Sequence, residues 1–370
     1  MPSLYIGLMS GTSLDGVDAV LADFTGGAVR VLAHAHQAFE ANLSAELLAL
    51  NTAGANELHR AALAGNALAR VYAAAVDELL RTCGTAPTQI RAIGAHGQTV
   101  RHRPREFDGT GYTIQLNSPA LLAELTRIDV VADLRSRDVA AGGQGAPLVP
   151  AFHRAVFARP DDTLAVLNLG GIANITVLHA DGRTLGFDCG PGNLLMDLWC
   201  ARHLGRPFDD GGAWGASGQV DAPLLAQCLA EPFFAMPAPK STGRDLFHAE
   251  WLDAQLQHRA AALRPEDVQA TLAELTAASC AHDVLRAAPL ASELLVCGGG
   301  AFNEHVMRRL ALLLPQLRVQ RTDARGLPAM QVEACAFAWL ARAFCERTPG
   351  NLPSVTGSLG GRVLGALYPA

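Results

Sequence analysis

One pattern occurs twice in this chain and constrains its fold more than any other. An apolar run leads into a short polar loop containing Gly, a second apolar run leads out, and a Gly turn opens a third run. The first copy comprises 4–9, the loop Ser10-Gly11-Thr12-Ser13-Leu14-Asp15-Gly16, 17–24, the turn Thr25-Gly26-Gly27 and 29 to about 39. The second comprises 163–169, Gly170-Gly171-Ile172-Ala173-Asn174, 175–179, Asp181-Gly182 and 184–188. Runs of this length bounded by Gly read as strands joined by tight turns. A repeat this large is a duplicated supersecondary unit. It predicts an α/β fold of two related lobes, each built on a βββ-α-β unit, with a ligand between the two loops.

The rest of the chain fits around the two copies. Helices are expected over 44–50, 57–80, from Ser118-Pro119 onward and over 147–157, with short strands over 91–95, 113–116 and 128–132. The Gly- and Ala-rich segment 137–147 reads as a loop crossing toward the second half. Later helices are expected over 193–204 with Asn193 as N-cap, 265–285, 303–314 and 330–347. Strands are expected over 292–297 and 317–321, and the Gly/Pro/Ser-rich tail after Gly350 reads as irregular. The expected division is 1–140 and 141–370, with the C-terminal helix and tail packing back on the first lobe.

Composition removes several classes of function. Of 370 residues, 50% are hydrophobic and 17% charged, enough to bury a large core. A net charge of -6 argues against a nucleic-acid or anionic-membrane partner. No apolar segment reaches the roughly 18 residues of a membrane span. The N-terminal apolar run breaks at Ser10-Gly11 with no basic region before it, unlike a signal peptide. The 8 cysteines form no CxxC pair, so they read as reduced core residues of a cytoplasmic protein.

The first loop suits an anion. Gly11 and Gly16 let backbone N–H groups approach phosphate oxygens, and Thr12 and Ser13 add hydroxyl donors. Asp15 and Asp18 are hard oxygen ligands suited to Mg²⁺. No GK[ST] is present and a strand follows, so this is not a Walker loop. Taken alone, the same residues also make an ordinary hairpin turn. The strand–Gly298-Gly299-Gly300–helix unit offers a second close approach, at a helix N-terminus.

Other candidates stand at strand ends, where ligands of open α/β sheets gather. His96 and Gln98 follow one strand, and Asp133 and Arg135 another. Arg135 reads as a partner for a carboxylate or as an interdomain ion pair. Asp188 ends a strand before Gly190-Pro191-Gly192 and reads as a base or a turn residue. Ser118 reads as a sugar contact or only an N-cap, and Glu333 as a sugar contact or a helix-dipole partner.

The motifs MSGTSLDGVDAVLADF, AHGQTVRH, DVVADLRSRDVAAGGQGAPLVPAFH, LNLGGIANIT, FDCGPGNLLMDLW, PKSTGRDLF, CGGGAFN and MQVEACAFAWLA occur in order from residue 9 to residue 341. Together they resemble the 1,6-anhydro-N-acetylmuramic acid kinase family, within the acetate and sugar kinase/actin/Hsp70 superfamily. His248 departs from the pattern, where Asn is expected. The resemblance implies a two-lobed, actin-like (ribonuclease H-like) fold and a homodimer. It implies that ATP and water convert 1,6-anhydro-N-acetylmuramate to N-acetylmuramate 6-phosphate and ADP, in cell-wall recycling. Asp188 then activates the water. Gly11, Thr12, Ser13, Leu14, Asp15, Gly16, Val17, Asp18, Gly170, Gly171, Asn174, Gly298, Gly299 and Gly300 hold the nucleotide, with Asp15 toward Mg²⁺. His96, Gln98, Ser118, Asp133, Arg135 and Glu333 hold the sugar. A plain amino-sugar or hexose kinase, and an actin- or chaperone-like nucleotide switch, are the competing expectations.

Overall fold

The computed structural model describes residues 3–11, 13–27, 29–257 and 263–370. In chain order its strands are β1 (Leu4–Met9), β2 (Gly16–Asp23), β3 (Arg30–Ala38), β4 (Ala92–Ala95), β5 (Gln98–Pro104), β6 (Gly111–Leu116) and β7 (Val130–Ala132). They continue with β8 (Leu164–Leu169), β9 (Ile172–Leu178), β10 (Thr184–Pro191), β11 (Glu293–Cys297), β12 (Arg318–Arg321) and β13 (Ala366–Tyr368). The chain divides into two compact units, Met1–Val156 with Gln331–Ala370, and Phe157–Met330.

In the first unit β1, β2 and β3 form an antiparallel meander. Strands β4 and β7 continue the sheet on the other side of β1, in parallel, and β13 closes that edge antiparallel to β7. In the second unit β8, β9 and β10 form the meander, and β11 and β12 add in parallel beside β8. Numbered within its own unit, each sheet runs 3-2-1-4-5, with β13 as an extra edge strand in the first. This is the duplicated unit that the sequence repeat predicts, in the actin-like (ribonuclease H-like) topology that the resemblance implies.

Alternation along β1 assigns its two faces. Leu4, Ile6 and Leu8 are buried with Leu68, Tyr72, Val76 and Leu79 of the helix Glu57–Cys83. Tyr5 points the other way, into a second cluster with Ala22, Ala92, Val131 and the helix Val332–Cys345. That helix rests directly on strand backbone. A Cβ on Gly7 would stand 1.8 Å from the Ala334 carbonyl oxygen, and one on Gly94 would stand 2.0 Å from that of Phe337. Only glycine allows this approach, and it ties residues after Gln331 to the first unit.

Several expectations need correction. The first compact unit runs to Val156, where a boundary at 140 is expected, and takes up the chain again from Gln331. The segment 137–147 does not simply cross over: it holds a short helix, Ser136–Ala140, and turns around the buried Asp138. The tail is ordered by the same carboxylate. Asn351 Nδ2 and Thr356 Oγ1 donate to Asp138 Oδ1 at 2.5 and 2.8 Å, and β13 then pairs with β7. A buried acceptor with several donors outweighs a Gly-rich composition. Asn193 precedes its helix but does not cap it, because its side-chain amide donates to the Leu169 carbonyl at 3.0 Å.

Candidate active site

In the first unit, parallel β1, β4 and β7 bring Ser10, His96 and Arg135 to one sheet edge. His96 is buried, and its Nδ1 lies 3.2 Å from the Ser10 carbonyl oxygen. Arg135 directs Nη2 (2.9 Å) and Nε (3.2 Å) at His96 Nε2. Burial, with the Arg135 charge beside it, pushes the imidazole down to about 3. The ring is therefore neutral, with Nδ1–H donating to Ser10 and Nε2 accepting from Arg135. Arg135 Nη1 also donates to the Gly145 carbonyl at 2.8 Å. One N–H then remains on each terminal nitrogen.

Glu333 lies in the first turn of the helix Val332–Cys345. Burial raises its carboxyl above the ordinary range, Asp18 adds to this and Arg135 opposes it. Gln98 is buried and donates through Nε2 to the Gly11 carbonyl at 3.0 Å, while its Oε1 has no hydrogen-bond partner. Asp133 is exposed at a left-handed φ of 55°. Ser118 precedes the helix Pro119–Thr126 and makes no side-chain capping bond, so its hydroxyl is not committed to the role of N-cap.

The first loop joins β1 to β2. Ser13 Oγ donates to Asp15 Oδ1 at 2.6 Å, and the Leu14 carbonyl accepts from Ser44 Oγ at 2.8 Å. Leu14 takes a left-handed φ of 59°. Val17 is buried in the core, and Thr12 lies outside the described residues. Asp18 does not point freely from the hairpin: its Oδ1 is 3.2 Å from His34 Nε2 and 3.1 Å from His36 Nδ1. Burial opposes its ionisation, but the hydrogen bonds from His34 and His36 outweigh burial and lower its pKa.

In the second unit the ladder register assembles a polar row. Asn174 on β9 pairs with Asn168 on β8 and with Asp188 on β10. A bulge between Asp188 and Gly190 ends the regular pairing there. Asp188 is gripped on one side. Its N–H donates to the Lys240 carbonyl at 3.0 Å, and its Oδ2 accepts from Ser241 Oγ and Thr242 N, each at 3.0 Å. Among the described residues no group bonds Oδ1. Burial raises the Asp188 carboxyl, opposed by the Thr242 and Ser241 hydrogen bonds and by the Lys240 charge. The 240–242 strap was not assigned from sequence, although the KST triplet and the isolated lysine were visible.

The candidate glycines fall into two groups. A Cβ on Gly11, Gly170 or Gly171 would meet nothing closer than 3.6 Å. Neither positive φ nor packing explains glycine there. Gly16, Gly298 and Gly300 differ: a Cβ would lie 2.5 Å from the Gln37 carbonyl oxygen, 2.4 Å from Asn168 Oδ1 and 2.6 Å from Leu169 Cβ. Packing accounts for these three, and Gly298 also holds a left-handed φ of 82°. Gly299 has room, its nearest neighbour being Asn193 Nδ2 at 3.8 Å. His248, where Asn is expected, has its Nδ1 2.9 Å from Glu250 Oε2 and 3.2 Å from Trp251 N.

No group of three or more His, Cys, Asp or Glu among the described residues could hold a metal. The exposed Asp15 carboxylate, with one oxygen taken by Ser13, still fits Mg²⁺, which keeps water and draws most remaining ligands from phosphate. No helix among the described residues is long and apolar enough to cross a membrane.

The family model described as anhydro-N-acetylmuramic acid kinase matches residues 3–370. The anhydro-N-acetylmuramic acid kinase of Albidiferax ferrireducens is 60% identical over 390 residues, covering 100% of each chain. That of Variovorax paradoxus is 62% identical over 372 residues, covering 99% of each.

Proposed function

The chain belongs to the anhydro-N-acetylmuramic acid kinase family, and from that premise we propose a single reaction with Asp188 as its base. ATP, water and 1,6-anhydro-N-acetylmuramate give N-acetylmuramate 6-phosphate and ADP, as a step in reusing cell-wall sugar. The observation that carries this reading is the asymmetry of Asp188. Oδ2 is fixed by Ser241 and Thr242, and Oδ1 is left for a proton.

Asp188 takes a proton from the attacking water as its oxygen bonds to C1. The C1–O6 bond breaks, and O6 takes the γ-phosphoryl group as the bond from phosphorus to the β-phosphate oxygen breaks. An inverting glycosidase needs a carboxylic acid to protonate the leaving oxygen. Here phosphorylation replaces that proton, so one carboxylate suffices. Gly11, Gly170 and Gly171 leave room for phosphate, and Ser13 donates through its backbone N–H, its hydroxyl proton being held by Asp15. Thr12, Leu14, Gly16, Val17, Asp18, Asn174 and Gly298–Gly300 complete the proposed nucleotide set, the packed members through backbone or position. Asp15 would hold Mg²⁺, which when bound would supply charge neutralisation on the phosphates.

Arg135, oriented by neutral His96, presents its two remaining N–H groups to the lactyl carboxylate. Glu333, Asp133, Gln98 and Ser118 supply the other polar contacts to the sugar. The 8 cysteines, which form no CxxC pair, support a cytoplasmic protein, and the resemblance carried by the motifs supports a homodimer, which sedimentation of the purified chain would check.

Brief turnover in ¹⁸O-water, with a control for anomeric exchange, tests the chemistry. Label is expected at C1 of the product, with none entering the phosphoryl group from solvent. The first-formed anomer should be inverted at C1, since one displacement opposite the bridge allows one configuration. Label in phosphate and not in sugar would refute the bridge-opening reaction.

A further inference from the structure

Lys240 is the only lysine in the sequence; every other residue among the 29 Lys and Arg is arginine. It is also buried. Its Nζ stands 2.9 Å from Asp283 Oδ2 on the helix Pro265–Ala287, with side-chain exposures of 1% and 5%. The same Nζ lies 4.8 Å from the centroid of the Phe233 ring. Arginine serves as the cation everywhere else, so this site asks for a compact ammonium rather than a broad guanidinium. Burying such a pair is expensive, and a well-packed apolar pair is often as stable or more so. Stability is therefore a poor account of why Lys240 and Asp283 are here.

Their place in the chain gives a better one. The Lys240 carbonyl accepts from Asp188 N, and the next two residues supply both donors to Asp188 Oδ2. We propose that the Lys240–Asp283 ion pair positions Asp188: it anchors the 240–242 strap that fixes the carboxylate. Lys240 is thus a positioning residue, not one that touches substrate. This rests on Asp188 being the base.

The groups around Asp188 can be named. Helix Pro265–Ala287 contributes Asp283 and Cys280, the latter hydrogen-bonded to Cys189 beside Asp188. Helix Pro232–Ala235 contributes the uncharged Phe233 and Phe234, and β9 the uncharged Asn174. Lys240 is the positive charge acting on Asp188. Without it, the carboxylate should hold its proton to higher pH.

Two double variants of the full chain separate anchor from charge. Lys240→Met/Asp283→Leu removes both, whereas Lys240→Gln/Asp283→Asn keeps a polar pair and removes the charges. Folding is checked by circular dichroism and thermal melting. In the Met/Leu variant kcat should fall by about tenfold or more, while KM for ATP stays within about twofold. In both variants the acid limb of the pH profile of kcat/KM for the sugar should move up by about one unit.

A folded Met/Leu variant with kcat within about twofold of wild type and an unmoved limb would overturn the proposal. If only the Gln/Asn variant folds, an unmoved limb overturns it; if neither folds, the pair serves the fold and not the reaction. Asp188→Asn is assayed alongside. Turnover retained by Asp188→Asn would instead refute the base, whereas its loss with unaffected double variants would refute only the positioning role.

Discussion

The same frame is built twice in this molecule, and the two copies use one set of positions in opposite ways. In the first unit, Asp18 is the third residue of β2 and pairs with His36 on β3. In the second, Asn174 is the third residue of β9 and pairs with Asp188 on β10. His36 and Asp188 are therefore topological equivalents. The first copy puts its carboxylate on the middle strand and ties one oxygen to two imidazoles, which lowers its pKa. The second puts its carboxylate on the edge strand, fixes one oxygen and buries the group, which raises it. A duplicated backbone fixes where groups stand. Their neighbours decide which carboxylate holds on to charge and which can exchange a proton.

The most severe test of that contrast is to neutralise the two equivalents. Asp188→Asn keeps shape but cannot accept a proton, and turnover should fall by about 10²–10⁴ with sugar affinity within a few-fold. His36→Asn should leave turnover within a few-fold, because the contrast gives that position no proton to move. Rates of sugar-dependent ADP formation would decide. Comparable losses in both, or near wild-type turnover in folded Asp188→Asn, would break the asymmetry.

The next test sets the open loop glycines against the packed ones. Gly11→Val and Gly171→Val should each weaken binding of a non-hydrolysable ATP analogue by about tenfold or more, about 1.4 kcal/mol, while melting temperature changes little. Gly300→Ala should do the reverse in kind. Its new methyl would meet Leu169 Cβ at 2.6 Å, and overpacking should cost about 1–3 kcal/mol of stability. Calorimetric titration and thermal melting read the two outcomes separately. Unchanged affinity in both folded valine variants would remove the loops from the phosphate site.

These glycines also show what was legible in the sequence. The repeat gave the succession of strands along the chain and the loop positions, because apolar runs and Gly turns are local signals. Whether a glycine serves a ligand or a neighbour is not local: Gly298 is required by Asn168 and Gly7 by Ala334, both far away in sequence. The same limit hid the strap. Asp188 was visible as a strand-end carboxylate, but Ser241 and Thr242 lie more than 50 residues on and reach it only through folding. The tail after Gly350 read as irregular because its order comes from Asp138, a buried acceptor more than 200 residues earlier. His34 and His36 escaped assignment for the opposite reason. Each is an ordinary residue of a β-strand until the register sets it beside Asp18.

The smallest expected effect is the one in which the two carboxylates should differ in sign. Asp18 has a lowered pKa in the folded chain. Its charge therefore contributes stability above its unfolded pKa, about 3.9, and that stability is lost as pH falls through the folded pKa. Asp188 has a raised pKa. Its charge costs stability, a cost that grows as pH rises from the unfolded pKa through the folded one and is complete above it. Asp18→Asn should then melt slightly lower than wild type at neutral pH, and Asp188→Asn slightly higher. Both differences should shrink toward zero as the pH falls below the range in which each wild-type carboxylate ionises. Melting curves across pH, taken without ligand, read this directly. Shifts of the same sign in the two variants would mean that His34 and His36 do not distinguish Asp18 from Asp188, and that the two copies treat their carboxylates alike.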